Sequence, residues 1–325
     1  MNSNFCALCY HYIRKDSNDP FPRLLGTKIS DFNNHVQMIK KEFAILSLEK
    51  IQSIFYNQNK VLKDKVLKDK VGITITFDDG LSDQFEAAKI LSENNISGIF
   101  FIPTCIIKEN LPANPIILHY AIAIHGVQKF IDELKIIFNK MKIENKIPEF
   151  NKKNDNVWKI IDEIKILLYY KIKSDETRKI LVEIYKKLII KENITVDDMH
   201  LTKIQIKKIL EMGHSIGTHS HTHISVANSE LSKSEVEKEL IEPKLILESE
   251  FNTNVISMSY PFGESKDCLN AKNLIQKTNS YELAFTIKHK LNTKNTSPLE
   301  IGRYMVHSSD NSNKLNKILK KNQTL

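Results

Sequence analysis

Two short segments concentrate the side chains able to do chemistry. Thr76-Phe77-Asp78-Asp79-Gly80 closes an apolar run, and His219-Ser220-His221-Thr222-His223 follows about 140 positions later. The first sets adjacent carboxylates where a strand stops. The second offers imidazoles four residues apart. One carboxylate and two imidazoles can hold a divalent ion with coordination positions left open, and the remaining carboxylate can then act as a base. Each segment alone has a plainer reading: Asp-Asp-Gly is a common turn, and a histidine-rich stretch can be a solvated loop. What joins them is their place among the elements that carry them.

Strand and helix signals alternate through the first hundred residues. Phe5–Tyr10 reads as a buried strand, and Ser30 as the cap of a helix with apolar positions at Phe32, Val36, Met38 and Ile39. A short strand at Ala44–Leu46 leads to a helix over Leu48–Tyr56. Val61-Leu62-Lys63-Asp64-Lys65 is repeated at once as Val66-Leu67-Lys68-Asp69-Lys70, a duplication too short for a repeat architecture. Gly72–Phe77 is β-branched and alternating, Ser82 reads as the next helix cap, and Ile96–Ile102 is a strand ended by Pro103. From 106 to 198 strand signals vanish, and helices are expected at Pro115–Ile124, Val127–Met141, Val157–Ile172 and Asp175–Ile190. Alternation resumes with a helix from Thr202 to Met212, a strand at His214–Gly217 and one long helix over Leu231–Glu250. Strands follow at Val255–Tyr260, Leu283–Thr286 and Ile301–Val306. Alternating strands and helices favour a parallel sheet, as a barrel or a doubly wound fold. Both architectures bind ligands at the carboxyl ends of the strands, where Asp78, Asp79, His219 and Pro261 all fall. The expected organisation is an α/β unit formed by 1–105 and 199–325, with 106–198 as a helical insertion.

The chain has 325 residues, 41% of them hydrophobic, enough for a large core. Its net charge of +8 is spread along helices beside Glu and Asp, which reads as solvated faces and argues against a nucleic-acid partner. The basic run Lys314 to Lys321 is the one candidate for peripheral contact with an anionic membrane surface; its plainer reading is a frayed helix. No stretch reaches the length of a transmembrane span. The segment Met1-Asn2-Ser3-Asn4-Phe5 lacks a basic stretch followed by an apolar one, so a cytoplasmic protein is expected. Cys6 and Cys9 form a C-x-x-C inside the first strand with no second pair, and are read as core packing.

The ordered set Thr-Phe-Asp-Asp-Gly, then Gly217-Thr218-His219-Ser220-His221-Thr222-His223, then Ser259-Tyr260-Pro261-Phe262-Gly263 resembles the polysaccharide deacetylases, the NodB-homology group of carbohydrate esterase family 4. Leu8-Cys9-Tyr10-His11 resembles the Tyr-His that opens many members, and Leu201-Thr202 to Gly217 the lead-in to the histidine motif. The resemblance covers roughly 5–105 and 200–307. It implies a distorted (β/α) barrel of about seven parallel strands and metal-dependent removal of an N-acetyl group from a sugar or glycoconjugate precursor. It implies Asp79, His219 and His223 as metal ligands and Asp78 as the general base. His11, Thr76, Ser220, Tyr260, Pro261, Phe262 and Arg303 are implied to shape the site. The donor set suits zinc, and also cobalt, manganese or iron. At i+2, His221 is expected to point away from the ion.

The sequence departs from the family in two places. Ser259-Tyr260-Pro261-Phe262 stands where many members carry Arg-Pro-Pro-Tyr, as in a Tyr-Pro-Phe-Gly variant subgroup, so the arginine that holds the catalytic aspartate is missing. Arg303, from the last strand, is the candidate replacement. The family's late Leu-x-His, which supplies the general acid, has no clear counterpart, and His307 is the nearest. Two other functions fit the same barrel: hydrolysis of a cyclic amide or ureide, and non-catalytic carbohydrate binding.

Overall fold

The computed structural model describes residues 4–56, 70–151, 156–227 and 231–321. The duplicated Val-Leu-Lys-Asp-Lys segment lies almost wholly outside them. Ten strands occur among the described residues: β1 Phe5–Tyr10, β2 Ile13–Arg14, β3 Thr27–Lys28, β4 Ala44–Ile45, β5 Gly72–Phe77, β6 Gly98–Ile102, β7 Ser215–Thr218, β8 Ser257–Ser259, β9 Leu283–Phe285 and β10 Arg303–Met305.

Seven of these run in the order β10-β1-β5-β6-β7-β8-β9, and all neighbours are parallel. A parallel bridge between Phe285 and Ile301, two residues before β10, brings the two ends of the sheet together. The result is a nearly closed, distorted (β/α) barrel of seven parallel strands with helices around it. The short β4 pairs with the start of β5, at Ala44↔Gly72, on the edge that β6 takes over from Ile75↔Gly98 onward. β1 and β5 are buried along their whole length, as expected of strands with a barrel interior on one face and helices on the other. Because every barrel strand points the same way, the residues following β1, β5, β7 and β8 all emerge at one rim. These are His11, Asp78, His219 and Tyr260.

Several boundaries differ from the sequence reading for identifiable reasons. Ser30 lies inside the helix Ile29–Glu42; its backbone N–H is met from outside by the Asp16 carboxylate. Ser82 gives its hydroxyl to the Asp198 carbonyl at 2.8 Å, and the helix Gln84–Glu93 begins after Asp83. The two helices expected over Pro115–Ile124 and Val127–Met141 are both present: the stretch Asn114–Met141 is divided at Gly126, whose φ of 83° no helix accommodates. The single helix expected over 231–250 is two, Lys233–Leu240 and Glu242–Phe251. Pro243 causes that break: its ring nitrogen cannot donate to the Glu239 carbonyl four residues back. That carbonyl accepts the His221 N–H at 3.0 Å instead.

Between β6 and β7 the regular structure of the described residues is helical, apart from an antiparallel bridge from His200 to Leu81. This segment is tied to the rim by backbone hydrogen bonds from Thr104 to Ser220, from Cys105 to His221 and from Asn114 to Thr222. Among the described residues, no helix is long and apolar enough to cross a membrane.

Candidate active site

Asp78 and Asp79 leave β5 on diverging paths. Asp78 continues the strand direction, its N–H bonded to the Tyr10 carbonyl, while Asp79 takes a left-handed φ of 72°. This turn sends the two carboxylates to different partners. The histidine segment makes a comparable departure, with Ser220 at φ 59° and His223 at φ 64°. Outside glycine and asparagine, the chain adopts positive φ at only five described residues: Asp79, Ser220, His223, Phe262 and Lys142. Four of the five are at this rim, so backbone strain is concentrated here.

Asp79, His219 and His223 come together. Asp79 Oδ1 lies 3.4 Å from Nε2 of each imidazole. Neither contact closes a hydrogen bond, and Oδ1 is buried without a hydrogen-bond partner. The His219 ring is fixed by its Nδ1, 2.9 Å from the Ser259 carbonyl, which makes Nδ1 the protonated nitrogen and turns the Nε2 lone pair toward Asp79. The two imidazoles meet edge to face at 4.6 Å. Phe262 packs at right angles against His223, 4.8 Å away. Donor atoms of the three residues all lie within 4.8 Å of one another. A buried carboxylate oxygen with no partner, faced by two imidazole nitrogens, is a donor set that fits a divalent cation.

Asp78 is bound differently. Its Oδ1 and Oδ2 each accept a 2.7 Å hydrogen bond from Arg303, in the two-pronged guanidinium–carboxylate geometry. Oδ2 also accepts from Ser259 Oγ at 3.0 Å and from the Cys9 thiol at 3.5 Å. It lies 3.9 Å from His219 Nε2. Arg303 is fully buried between Phe101 and Phe285 and further donates to Thr76 Oγ1, Ser259 Oγ and the Thr286 carbonyl. The last strand thus supplies the arginine that the Tyr-Pro-Phe-Gly motif lacks.

Burial alone would raise both aspartates. For Asp78 the Arg303 charge overrides it, helped by His219, and holds the carboxyl well below its ordinary range. For Asp79 the adjoining His219 and His223 do the same. The imidazoles diverge. His219 is raised, because the two aspartates outweigh its burial. His223 is pushed down to about 4 by burial first and then by its closeness to the His219 ring. Burial raises the Cys9 thiol well above its usual value, so it stands beside Asp78 as a neutral donor.

The remaining residues singled out in the sequence divide into two groups. His11, Tyr260 and Phe262 line the cavity above the triad, and Tyr260 is anchored by its hydroxyl to the Leu299 carbonyl at 3.0 Å. Thr76, Ser220 and Pro261 lie behind it. Thr76 bridges Arg303 to the Leu8 carbonyl, Ser220 Oγ receives the His223 N–H at 2.9 Å, and Pro261 closes a tight turn onto Gly263. His221 is turned away, bonded through Nδ1 to Thr104 Oγ1 and through Nε2 to Glu109. His307 is exposed and is not among the residues that line the cavity.

Four contributors were invisible in the sequence. Cys9 and Ser259 contact Asp78. His200 Nδ1 sits 3.1 Å from the Asp79 carbonyl and its Nε2 accepts the Ala113 N–H, fixing the carboxylate's own backbone. His119, on the long helix of the 106–198 segment, lines the same cavity, with Nδ1 3.3 Å from the Tyr12 hydroxyl. Only β-register or tertiary packing brings these residues in, and no short motif carries such information.

A parallel barrel carries at one rim a carboxylate–imidazole cluster with the donor types of a divalent-cation site and a second, arginine-held carboxylate able to accept a proton. The polysaccharide deacetylase family matches residues 182–284, a stretch containing both imidazoles of the triad and the Tyr260-Pro261-Phe262 turn but not the two aspartates. No curated protein matches the chain. Among solved structures, the Streptococcus pyogenes deacetylase PplD in complex with acetate superposes with a TM-score of 0.58 at 16% identity, over 98% of this chain and 99% of that one. IcaB from Ammonifex degensii does so with 0.57 at 13% identity, over 97% and 96%. A de-N-acetylase from Aggregatibacter actinomycetemcomitans gives 0.54 at 12%, over 97% and 100%. At such identities the structural likeness carries the fold. The family match adds that residues 182–284 are similar to the polysaccharide deacetylases.

Proposed function

We propose that this protein removes the N-acetyl group of a sugar or glycoconjugate precursor, with a divalent metal held by Asp79, His219 and His223 and with Asp78 as general base. The observation that carries the reading is the buried, partnerless Oδ1 of Asp79 with two imidazole nitrogens converging on it. A divalent ion at that point would polarise the amide carbonyl and acidify a water. Zinc suits the donor set best, with cobalt, manganese and iron as its rivals.

The chain's own residues account for the rest. Oδ2 of Asp78 already accepts from Arg303, Ser259 and Cys9, whereas Oδ1 accepts from Arg303 alone and keeps a lone pair free. On this reading Oδ1 is the oxygen that takes the proton. Because Arg303 keeps this carboxyl ionised, the base is in its working form at any neutral pH. Ser259 ties the two halves together, with its hydroxyl on Asp78 and its carbonyl on the His219 ring.

The test is acetate release from a panel of N-acetyl sugars with and without a chelator, alongside metal content. Chelation should abolish release, and His223→Ala should emerge without stoichiometric metal. Chelator-resistant acetate release, or full metal content in a His219→Ala/His223→Ala variant, would overturn the proposal.

A further inference from the structure

The cavity above the triad is larger and more apolar than an acetyl group requires. It encloses about 720 Å³, a volume suited to a whole ligand. Much of its wall comes from the 106–198 segment. Pro115, Leu118, His119, Ile122 and Ala123 line it from the helix that ends at Gly126, at the spacing that places residues on one helical face, and Val127 joins them from beyond that break. The helix Val157–Ile166 adds Val157, Trp158, Ile161 and Lys165. A helix in a two-layer packing normally turns its apolar stripe toward another element. Here two stripes face a space that opens directly on Asp79, His219 and His223. Around the mouth, Leu25, Val157 and Trp158 are 59%, 37% and 57% exposed, an apolar rim.

The polar part of the lining is equally informative. Among the described residues, no Ser, Thr, Asn, Gln or Glu lines the cavity. Those groups ordinarily satisfy sugar hydroxyls, and burying several hydroxyls without partners is costly. Two cations, Arg23 and Lys165, do line it, and neither forms an ion pair with a described carboxylate. Lys165 is half-buried within the apolar stripe. It also faces His119, whose imidazole is pushed down to about 3 by burial and then by this lysine's charge.

We infer that the substrate is an amphiphile: an N-acyl sugar whose amide reaches the triad, whose alkyl or isoprenoid body fills the chamber, and whose anionic group meets Lys165. This rests on the proposed deacetylase reading and adds to it the class of compound selected. A free oligosaccharide would leave the two apolar stripes wet and Lys165 without a counter-charge.

Trp158 is the chain's single tryptophan and stands at the chamber mouth, so its fluorescence reports filling independently of turnover. The full chain is titrated with octyl and decyl phosphate and with octyl and decyl N-acetylglucosaminide, all below their aggregation thresholds. Saturable binding is expected, tightening with chain length by up to about fourfold per methylene. Ile122→Asn should flatten the length dependence for every ligand. Lys165→Met should weaken the phosphates about tenfold and leave the neutral glycosides unchanged. Binding that is absent, or indifferent to chain length, overturns the inference, as does acetate release from N-acetylchitooligosaccharides as fast as from the alkyl glycosides. Length-dependent binding without acetate release from any compound would leave the chamber standing and remove the deacetylase reading instead.

Discussion

Arg303 offers the sharpest test of how the site is held. Its guanidinium donates five hydrogen bonds between 2.7 and 3.0 Å, two of them to Asp78, with no exposure to solvent. Arg303→Met keeps most of the side-chain volume and leaves Asp78 as a buried charge with Ser259, Cys9, His11 and His219 nearby. Removing one partner of a buried ion pair costs about 3–5 kcal/mol. The pH dependence fixes the cause. In the native protein Asp78 titrates below its ordinary 3.8, so its stabilising contribution is complete above that value and constant between pH 5 and 8. Without Arg303 the opposing effect of burial dominates and the folded carboxyl titrates above 3.8. Its ionised form then disfavours folding, and the penalty grows as pH rises above the unfolded value. Denaturant unfolding of the chelator-treated protein at pH 5 and pH 8 measures this. Arg303→Met should lose more stability at pH 8 than at pH 5. Adding Asp78→Asn to it should recover a substantial part of the loss, a coupling visible in a double-mutant cycle. An Arg303→Met penalty that is the same at both pH values and unchanged by Asp78→Asn would refute the claim that this arginine acts through Asp78.

Two further outcomes follow from the same geometry. Asp78→Asn should retain metal and lose about two to four orders of magnitude in kcat, since only proton transfer is removed, whereas Asp79→Asn should lose the metal; metal analysis with steady-state kinetics separates the two. Glu109, bonded to His221 and Arg178, is pushed down to about 2, first by the His221 contact. Its contribution should be present above its ordinary value near 4.5 and lost as pH falls toward 2, so the stability gap between wild type and Glu109→Gln should close in acid; with the side chain 32% exposed, that gap is at most about 1 kcal/mol.

The carboxylate–imidazole cluster was legible because its chemistry is local. Asp79 has its twin beside it, and His219 and His223 share one five-residue string. The parallel barrel was legible because strands such as Gly72–Phe77 announce themselves by β-branching and are followed by helices with a different period. The support for Asp78 was less so. Cys9, Thr76 and Arg303 are brought together by register, with Cys9 opposite Thr76 and Ala7 opposite Arg303, and register depends on the whole closed sheet. His119 comes from the helical segment, whose Lys- and Ile-rich pattern shows which residues are apolar but not which surface they meet, and His200 from the bridge to Leu81 just beyond it. The π-helical turns at Leu167–Lys171 and Tyr185–Ile189 were likewise hidden, since a bulge in a helix answers to packing and not to propensity. The helix break at Ile241 is different in kind: Pro243 was in plain view, and a periodic apolar pattern running through it masked the stop.

That proline reaches further than the helix it divides. By freeing the Glu239 carbonyl it gives one residue two acceptors for the histidine loop, the carbonyl for His221 and the carboxylate for the Thr222 N–H and hydroxyl. The loop's backbone is thereby held as firmly as a strand while its imidazoles remain free to bind. A cation arriving at such a site finds its ligands already arranged, so little of its binding free energy is spent on ordering them. The entropy of bringing two distant stretches of chain to one point has been settled during folding, by a helix that was made to end early.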